Sequence, residues 1–165
     1  MATPPRPLPS LKEADMSSAH WTLAVIAAGM LALSAGCAEA SHSPEYPKKH
    51  KVFYHFNDGG VEKARAMLVN IENHLQVVGW KNIEALELVV HGPALRTFLA
   101  RDIDPEVRGK LETLLAGGLR FDACQITMTR QKIDPKDLLQ GVTAVPSGVA
   151  RVMELQEAGY AYVKP

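Results

Sequence analysis

The sequence predicts an α/β protein, a three-layer α/β/α sandwich. Three observations carry that expectation. From residue 50 onward, segments of strand character alternate with segments of helical period, which in one domain implies parallel strands joined by right-handed crossovers. The run ALELVVHG, 85–92, has a nearly continuous apolar centre, as does a parallel strand covered on both faces. The connections are short and no internal repeat is present.

The elements follow in order. KVFYHFN, 51–57, is rich in β-branched and aromatic residues and predicts the first strand. NDGG then turns the chain. In 61–78 the apolar residues Val61, Ala64, Leu68, Ile71, Leu75 and Val78 step by three and four, which predicts an amphipathic helix closed by Gly79. The second strand is 85–92, followed by a short helix over 93–100. Asp104-Pro105-Glu106 supplies a cap, a proline at the first helical position and an acid in the first turn. That helix presents Val107, Leu111, Leu114 and Leu115 and stops at Gly117-Gly118. LRFDAC, 119–124, is a short third strand; 125–132 turns into a helix, and 135–139 adds a helical turn. VTAV, 142–145, is the fourth strand. Ser147 caps a helix running through Val149, Val152 and Leu155 to Gly159. YAYVK, 160–164, is the last strand.

Upstream, residues 1–15 are rich in proline and polar residues and have the composition of a disordered segment. The apolar run Trp21 to Ala35 has the length of a signal-peptide core and is short for a spanning helix. Ala38-Glu39-Ala40 fits a small-x-small cleavage site. Residues 1–40 are thus expected to be an extension and signal peptide cleaved near Ala40, 41–50 a linker, and 51–165 the domain. The product would be periplasmic or secreted, with no stable membrane span after cleavage. Two alternatives stand beside this reading. Ser34-Ala35-Gly36-Cys37 resembles a lipoprotein box that would anchor the chain through Cys37, though serine stands where leucine is usual; the other is an uncleaved anchor. The positive charge of Arg6 and Lys12 is offset by Glu13 and Asp15, and translation starting at Met16 would leave only the amino terminus.

The chain carries 18 basic and 18 acidic residues. Cleavage leaves 16 against 15, so nothing favours nucleic acid or an anionic membrane surface. The densest basic cluster, Lys48-Lys49-His50-Lys51, reads as solvated linker.

In open parallel sheets, ligands bind at the carboxyl ends of the strands. His55 and Asn57 fall at the end of the first strand, His91 and Gly92 at the second, Cys124 at the third, Ser147 and Gly148 after the fourth. Cys124 lies where a strand hands over to a helix, whose first N–H groups favour a thiolate. Thr127 can donate a hydrogen bond to it, and Arg130 and Lys132 follow in sequence. The competing reading is an inert buried thiol, common for free cysteine. With Cys37 removed, Cys124 has no partner, and in an oxidising compartment a free thiol must be used or hidden. His55 and His91, with His50 upstream, lack metal-ligand spacing, so no metal site is expected. Either could be the base for a cysteine nucleophile, but no third orienting residue or oxyanion motif accompanies them. Asn57-Asp58-Gly59-Gly60 lacks the spacing of a dinucleotide fingerprint and the lysine of a P-loop, so it reads as a helix-capping turn. Ser147-Gly148 with Arg151 reads either as a small-anion pocket or as a plain helix cap. No cofactor is expected.

The segments VFYHFND, VVHGPAL, GGLRFDACQITM and DLLQGVTAVPSGVARVMELQEAGYAYVKP resemble successive blocks of the DsrE/DsrF-like family. The likeness covers about residues 50–165 and is to the small single-domain branch with a Gly-x-Ala-Tyr-x-Lys/Arg-Pro tail. It implies a three-layer α/β/α sandwich with a mainly parallel five-stranded sheet, and a homo-oligomer, trimer or hexamer. It also implies sulfur passed as a cysteine persulfide between donor and acceptor proteins, at most a sulfurtransferase activity. The family cysteine maps onto Cys124. Branch members usually read Cys-x-Asn-Thr; here Ile126 replaces the asparagine and Thr127 remains. Relatives that relay sulfur work in the cytosol, so an export signal is a departure. The resemblance favours an exported sulfur carrier. The alternatives are a non-catalytic module that binds a small ligand or protein and keeps a structural cysteine, and a hydrolase or reductase pairing Cys124 with His55 or His91.

Overall fold

The computed structural model describes Tyr46 and residues 48–165; the predicted signal segment, its cleavage point near Ala40 and Cys37 lie outside the described residues. The strands are β1 (His50–Phe56), β2 (Ile83–Val90), β3 (Leu119–Cys124), β4 (Val142–Val145) and β5 (Ala161–Val163). The helices are α1 (Val61–Val78), α2 (Pro105–Ala116), α3 (Gln125–Gln131) and α4 (Gly148–Glu157). The strands form one five-stranded sheet in the order β4-β3-β2-β1-β5, and every pairing is parallel. The α/β/α sandwich predicted from the alternation is therefore the fold observed.

The strand order dictates where the helices go. From β1 to β4 each crossover moves one place in the same direction, so right-handed connections put α1, α2 and α3 on one face. The chain then returns across the whole sheet to β5, beside β1, and right-handedness sends α4 to the opposite face. Burial agrees. Val52, Tyr54 and Phe56 of β1 join Leu86, Leu88, Val90, Leu119, Phe121 and Ala123 in one large apolar core with α1, α2 and Met128 of α3. The intervening residues Phe53 and Val89 face the other way and pack on Leu155 of α4.

β3 and β4 are neighbours whose exits diverge, β3 into α3 on one face and β4 into α4 on the other. That is the topological switch point, where a parallel sheet opens a crevice. Cys124 ends β3, and Ser147 and Gly148 follow β4, so the crevice lies between them.

Three details differ from expectation. The segment Gly92–Phe98 is a 3-10 helix rather than a short α-helix. Pro93 takes a backbone N–H out of its first turn, and Leu99 leaves in extended conformation to bridge Leu138, so the segment stays a tight 3-10 connector. A second 3-10 turn, Trp80–Asn82, precedes β2, so that strand starts and ends earlier than predicted. The NDGG turn does not cap α1 through a side chain; Gly60 takes the cap position at φ 110°, and Asp58 pairs with Lys63 at 3.5 Å. Among the described residues, no helix is long and apolar enough to cross a membrane.

Candidate functional site

Cys124 is both the last residue of β3 and the N-cap of α3, and it is only 5% exposed. Burial pushes its thiol up. The backbone N–H of Gly148, the Thr127 hydroxyl and the N–H groups of Thr127 and Ile126 outweigh that, and hold the thiol below its ordinary value. Ile126 and Thr127 belong to the first turn of α3, and Gly148 is the first residue of α4. Donors from two helix starts thus converge on one sulfur. The sulfur closes no cap hydrogen bond with α3, so these groups act as oriented dipoles rather than tight partners. The Thr127 oxygen accepts the Gly92 N–H at 3.0 Å, which leaves its own proton free to point at sulfur. Ile126 acts through its main chain, and its half-exposed side chain takes no part in holding the thiol. Arg130 and Lys132, adjacent in sequence, are not among the groups acting on Cys124.

Gly148 is required here by space. A Cβ at this position would stand 3.0 Å from the His91 Cβ, 3.2 Å from the Cys124 Cβ and 3.3 Å from the His91 Cδ2. Glycine lets α4 start against both residues. At Gly92 the requirement is conformational: φ of 61° turns the chain out of β2 and aims its N–H at Thr127.

Beside Gly148 the two histidines meet. Their rings stack at 4.9 Å with an interplanar angle of 25°, and the two Nε2 atoms are 2.7 Å apart. The Tyr162 hydroxyl reaches the His55 Nδ1 at 3.0 Å. Burial, then His91 and Lys164, hold His55 below its ordinary value; burial and Lys164 do the same for His91. Two neutral rings joined Nε2 to Nε2 need one proton between them, so one ring donates and the other accepts. If His55 donates, Tyr162 donates to it; if His91 donates, His55 passes its own N–H to the Tyr162 oxygen. Either way the chain Tyr162–His55–His91 is directional, and protonating both rings breaks it.

The remaining sequence candidates fall into place differently. Ser147 accepts the Ala150 N–H at 3.3 Å, which is the plain cap reading. The anion pocket of Ser147, Gly148 and Arg151 is not formed, because Arg151 is engaged elsewhere. Its Nε donates to the Asp122 Oδ2 at 2.8 Å and its Nη2 to the Glu87 Oε2 at 2.7 Å. Asn57 directly follows β1, but its buried Oδ1 has no hydrogen-bond partner. Among the described residues, no group of three His, Cys, Asp or Glu side chains is placed to hold a metal ion.

Glu87, Asp122 and Arg151 were missed as a unit. Glu87 and Asp122 are 0% and 1% exposed on the α4 face of β2 and β3. Burial pushes the Asp122 carboxyl up; the Arg151 hydrogen bond opposes this and neighbouring Glu87 reinforces it. Tyr160 is also raised, by burial and by Glu87. The signal in the sequence was an acid in the middle of each of two apolar strands, in ALELVV and LRFDAC.

Comparison with known proteins fits this geometry. A solved protein of unknown function from Methanobacterium thermoautotrophicum is 28% identical with a TM-score of 0.61, covering 71% of this chain and 100% of its own. No curated protein matches. The DsrE/DsrF-like family model matches residues 27–165. That span takes in the whole sheet, the switch-point cysteine and both helix starts around it, and the chain belongs to the DsrE/DsrF-like family.

Proposed function

We propose that this protein carries sulfane sulfur as a persulfide on Cys124. Membership of the family points to sulfur-transfer-related chemistry. The observation that supports the finer reading is the convergence of two helix starts on the Cys124 sulfur, which favours its thiolate despite burial. The thiolate is the form that attacks sulfur.

In the loading step the Cys124 thiolate attacks the outer sulfur of a donor persulfide. A new S–S bond forms on Cys124, the donor's S–S bond breaks, and the donor leaves as a thiolate. In the unloading step an acceptor thiolate attacks the same outer sulfur, and Cys124 leaves as a thiolate. Neither step changes the total oxidation state, so no further oxidant or reductant is needed. The N–H groups of Gly148, Thr127 and Ile126 serve both steps, because Cys124 bears negative charge as nucleophile and as leaving group. The donor and acceptor are proposed to be proteins, and the carrier to act outside the cytosol after cleavage near Ala40. Exposed Val149 and Met153 on α4 support assembly of copies into a trimer or hexamer.

A second reading has its own support. At 5% exposure the thiol is nearly closed off, which suits a binding module with a structural cysteine. Treating native protein with a small persulfide donor separates the two. A carrier gains one sulfur, and Cys124→Ser gains none. A binding module takes up sulfur only after denaturant exposes the thiol.

A further inference from the structure

We infer that Arg151 is a positioning residue for the chemistry at Cys124: by bridging Glu87 and Asp122, it fixes the first turn of α4 so that the Gly148 N–H faces the sulfur. The inference rests on Cys124 being the reacting group.

Among the described residues, α4 is the one helix on its face of the sheet. Its apolar anchor is Leu155 on Phe53 and Val89, with Val152 and Tyr160 packed around them. These contacts lie along its later turns. The first turn has no such anchor: Val149 is 66% exposed, and Gly148 has no side chain. The side chain that ties that turn down to the sheet is that of Arg151. Its main-chain N–H donates to the Ser147 oxygen at 2.9 Å, so it belongs to the same turn as the cap and Gly148. Its guanidinium then reaches down to two adjacent strands, to Glu87 of β2 and Asp122 of β3.

The geometry forms a closed frame. Asp122 and Cys124 are alternate residues of β3 and share a face, roughly 7 Å apart along the strand. Gly148 and Arg151 are three apart on the helix and share a side. The Arg151–Asp122 contact closes one end of the frame, and Gly148 facing Cys124 closes the other. A planar fork held by two carboxylates from different strands resists sliding in both directions, which a single contact cannot do.

The charge balance argues for the same role. One guanidinium faces two buried carboxylates, and the Glu87 Oε1 and Asp122 Oδ1 have no hydrogen-bond partner. Arg120 stands 3.7 Å from the Glu87 Oε1, Glu154 takes the Arg151 Nη1 at 3.3 Å, and Tyr160 faces Glu87. A buried ion cluster left partly unpaired is a weak source of stability. Its evident product is a defined position for α4.

The test uses full-length protein. Arg151→Met is combined with Glu87→Gln and Asp122→Asn so that no buried charge is stranded; Arg151→Lys is made alone. Folding is checked by urea unfolding, and the rate of Cys124 alkylation by iodoacetamide is followed against pH. The triple variant is expected to stay folded while its Cys124 pKa rises, slowing alkylation at pH 7 about tenfold for each unit of rise. Arg151→Lys, with a charge but no fork, is expected to fall between that and the wild type. A folded triple variant with the wild-type pH profile would overturn the inference. So would Arg151→Lys matching the wild type, the reading that remains decisive if the triple variant does not fold. A wild type that takes up no sulfur, while its thiol still responds to Arg151, would remove the carrier reading and leave the positioning role standing.

Discussion

The two faces of the sheet are built unlike one another. One is covered by α1, α2 and α3 over a large apolar core that includes Phe98, Phe121, Leu68 and Ile71, all fully buried. Among the described residues, the other is covered by α4 alone, over three buried apolar side chains and a cluster of two acids and an arginine. Apolar burial is proportional to area and indifferent to direction, whereas charged hydrogen bonds are directional. The thick face therefore supplies stability. The thin face places a helix start beside a thiol.

This contrast can be broken at several points. The largest effect is expected on the thick face. Phe121 is fully buried with its ring 5.1 Å from that of Phe98 in a T-shaped pair, and Phe121→Ala should cost about 3–5 kcal/mol of unfolding free energy. Leu155→Ala on the thin face should cost less, about 2 kcal/mol, because a lone helix can settle into the gap. Urea unfolding of both variants measures the difference, and equal losses would count against the asymmetry. Gly148→Ala comes next. The added methyl meets His91 and Cys124 at 3.0 and 3.2 Å, so a loss of about 1–3 kcal/mol is expected together with slower alkylation of Cys124. Ser147→Ala removes one cap hydrogen bond and should cost about 1 kcal/mol in the same assay.

Acid probes both faces at once. His55 and His91 on the thin face are held below 6.5 chiefly by burial, as is His74 on the thick face. The His74 Nδ1 is hydrogen-bonded at 2.8 Å to the Tyr54 hydroxyl, whose own pKa burial pushes up to about 12, so this tyrosine stays protonated. For each histidine the folded value lies below the unfolded one. As pH falls through 6.5 the unfolded chain takes up protons first, so the contribution is full above that pH and is lost as pH falls through the lowered folded values. The urea midpoint should therefore be lower at pH 5 than at pH 7.5. Replacing His55 and His91 by glutamine should flatten only their share of that slope, leaving that of His74.

Much of the fold was legible because it rests on local pattern. Strand and helix periods, the Asp104-Pro105 start and the Ser147 cap are all written within a few residues of where they act. Cys124, Thr127, His91 and Gly148 were legible for a related reason: a parallel sheet brings its strand ends together whatever the details. The misses are long-range. Ser147-Gly148 with Arg151 was read either as a small-anion pocket or as a plain helix cap, and neither reading pointed to the partners of Arg151, which lie 29 and 64 residues away in the sequence. Tyr162 meets His55 across 107 residues, and no spacing rule links them. The 3-10 turn Trp80–Asn82 was missed, and Gly92–Phe98 was read as a helix without its 3-10 character, because both turn on how the chain enters and leaves its neighbours rather than on apolar period.

The most direct measurement is the intact mass of folded protein before and after exposure to a small persulfide donor, followed by mapping of the modified residue. Sulfur carriage requires a gain of about 32 Da, one sulfur atom, on Cys124, reversed by a thiol acceptor and absent in Cys124→Ser. A native mass that stays unchanged, with sulfur added only once denaturant has opened the crevice, would contradict it.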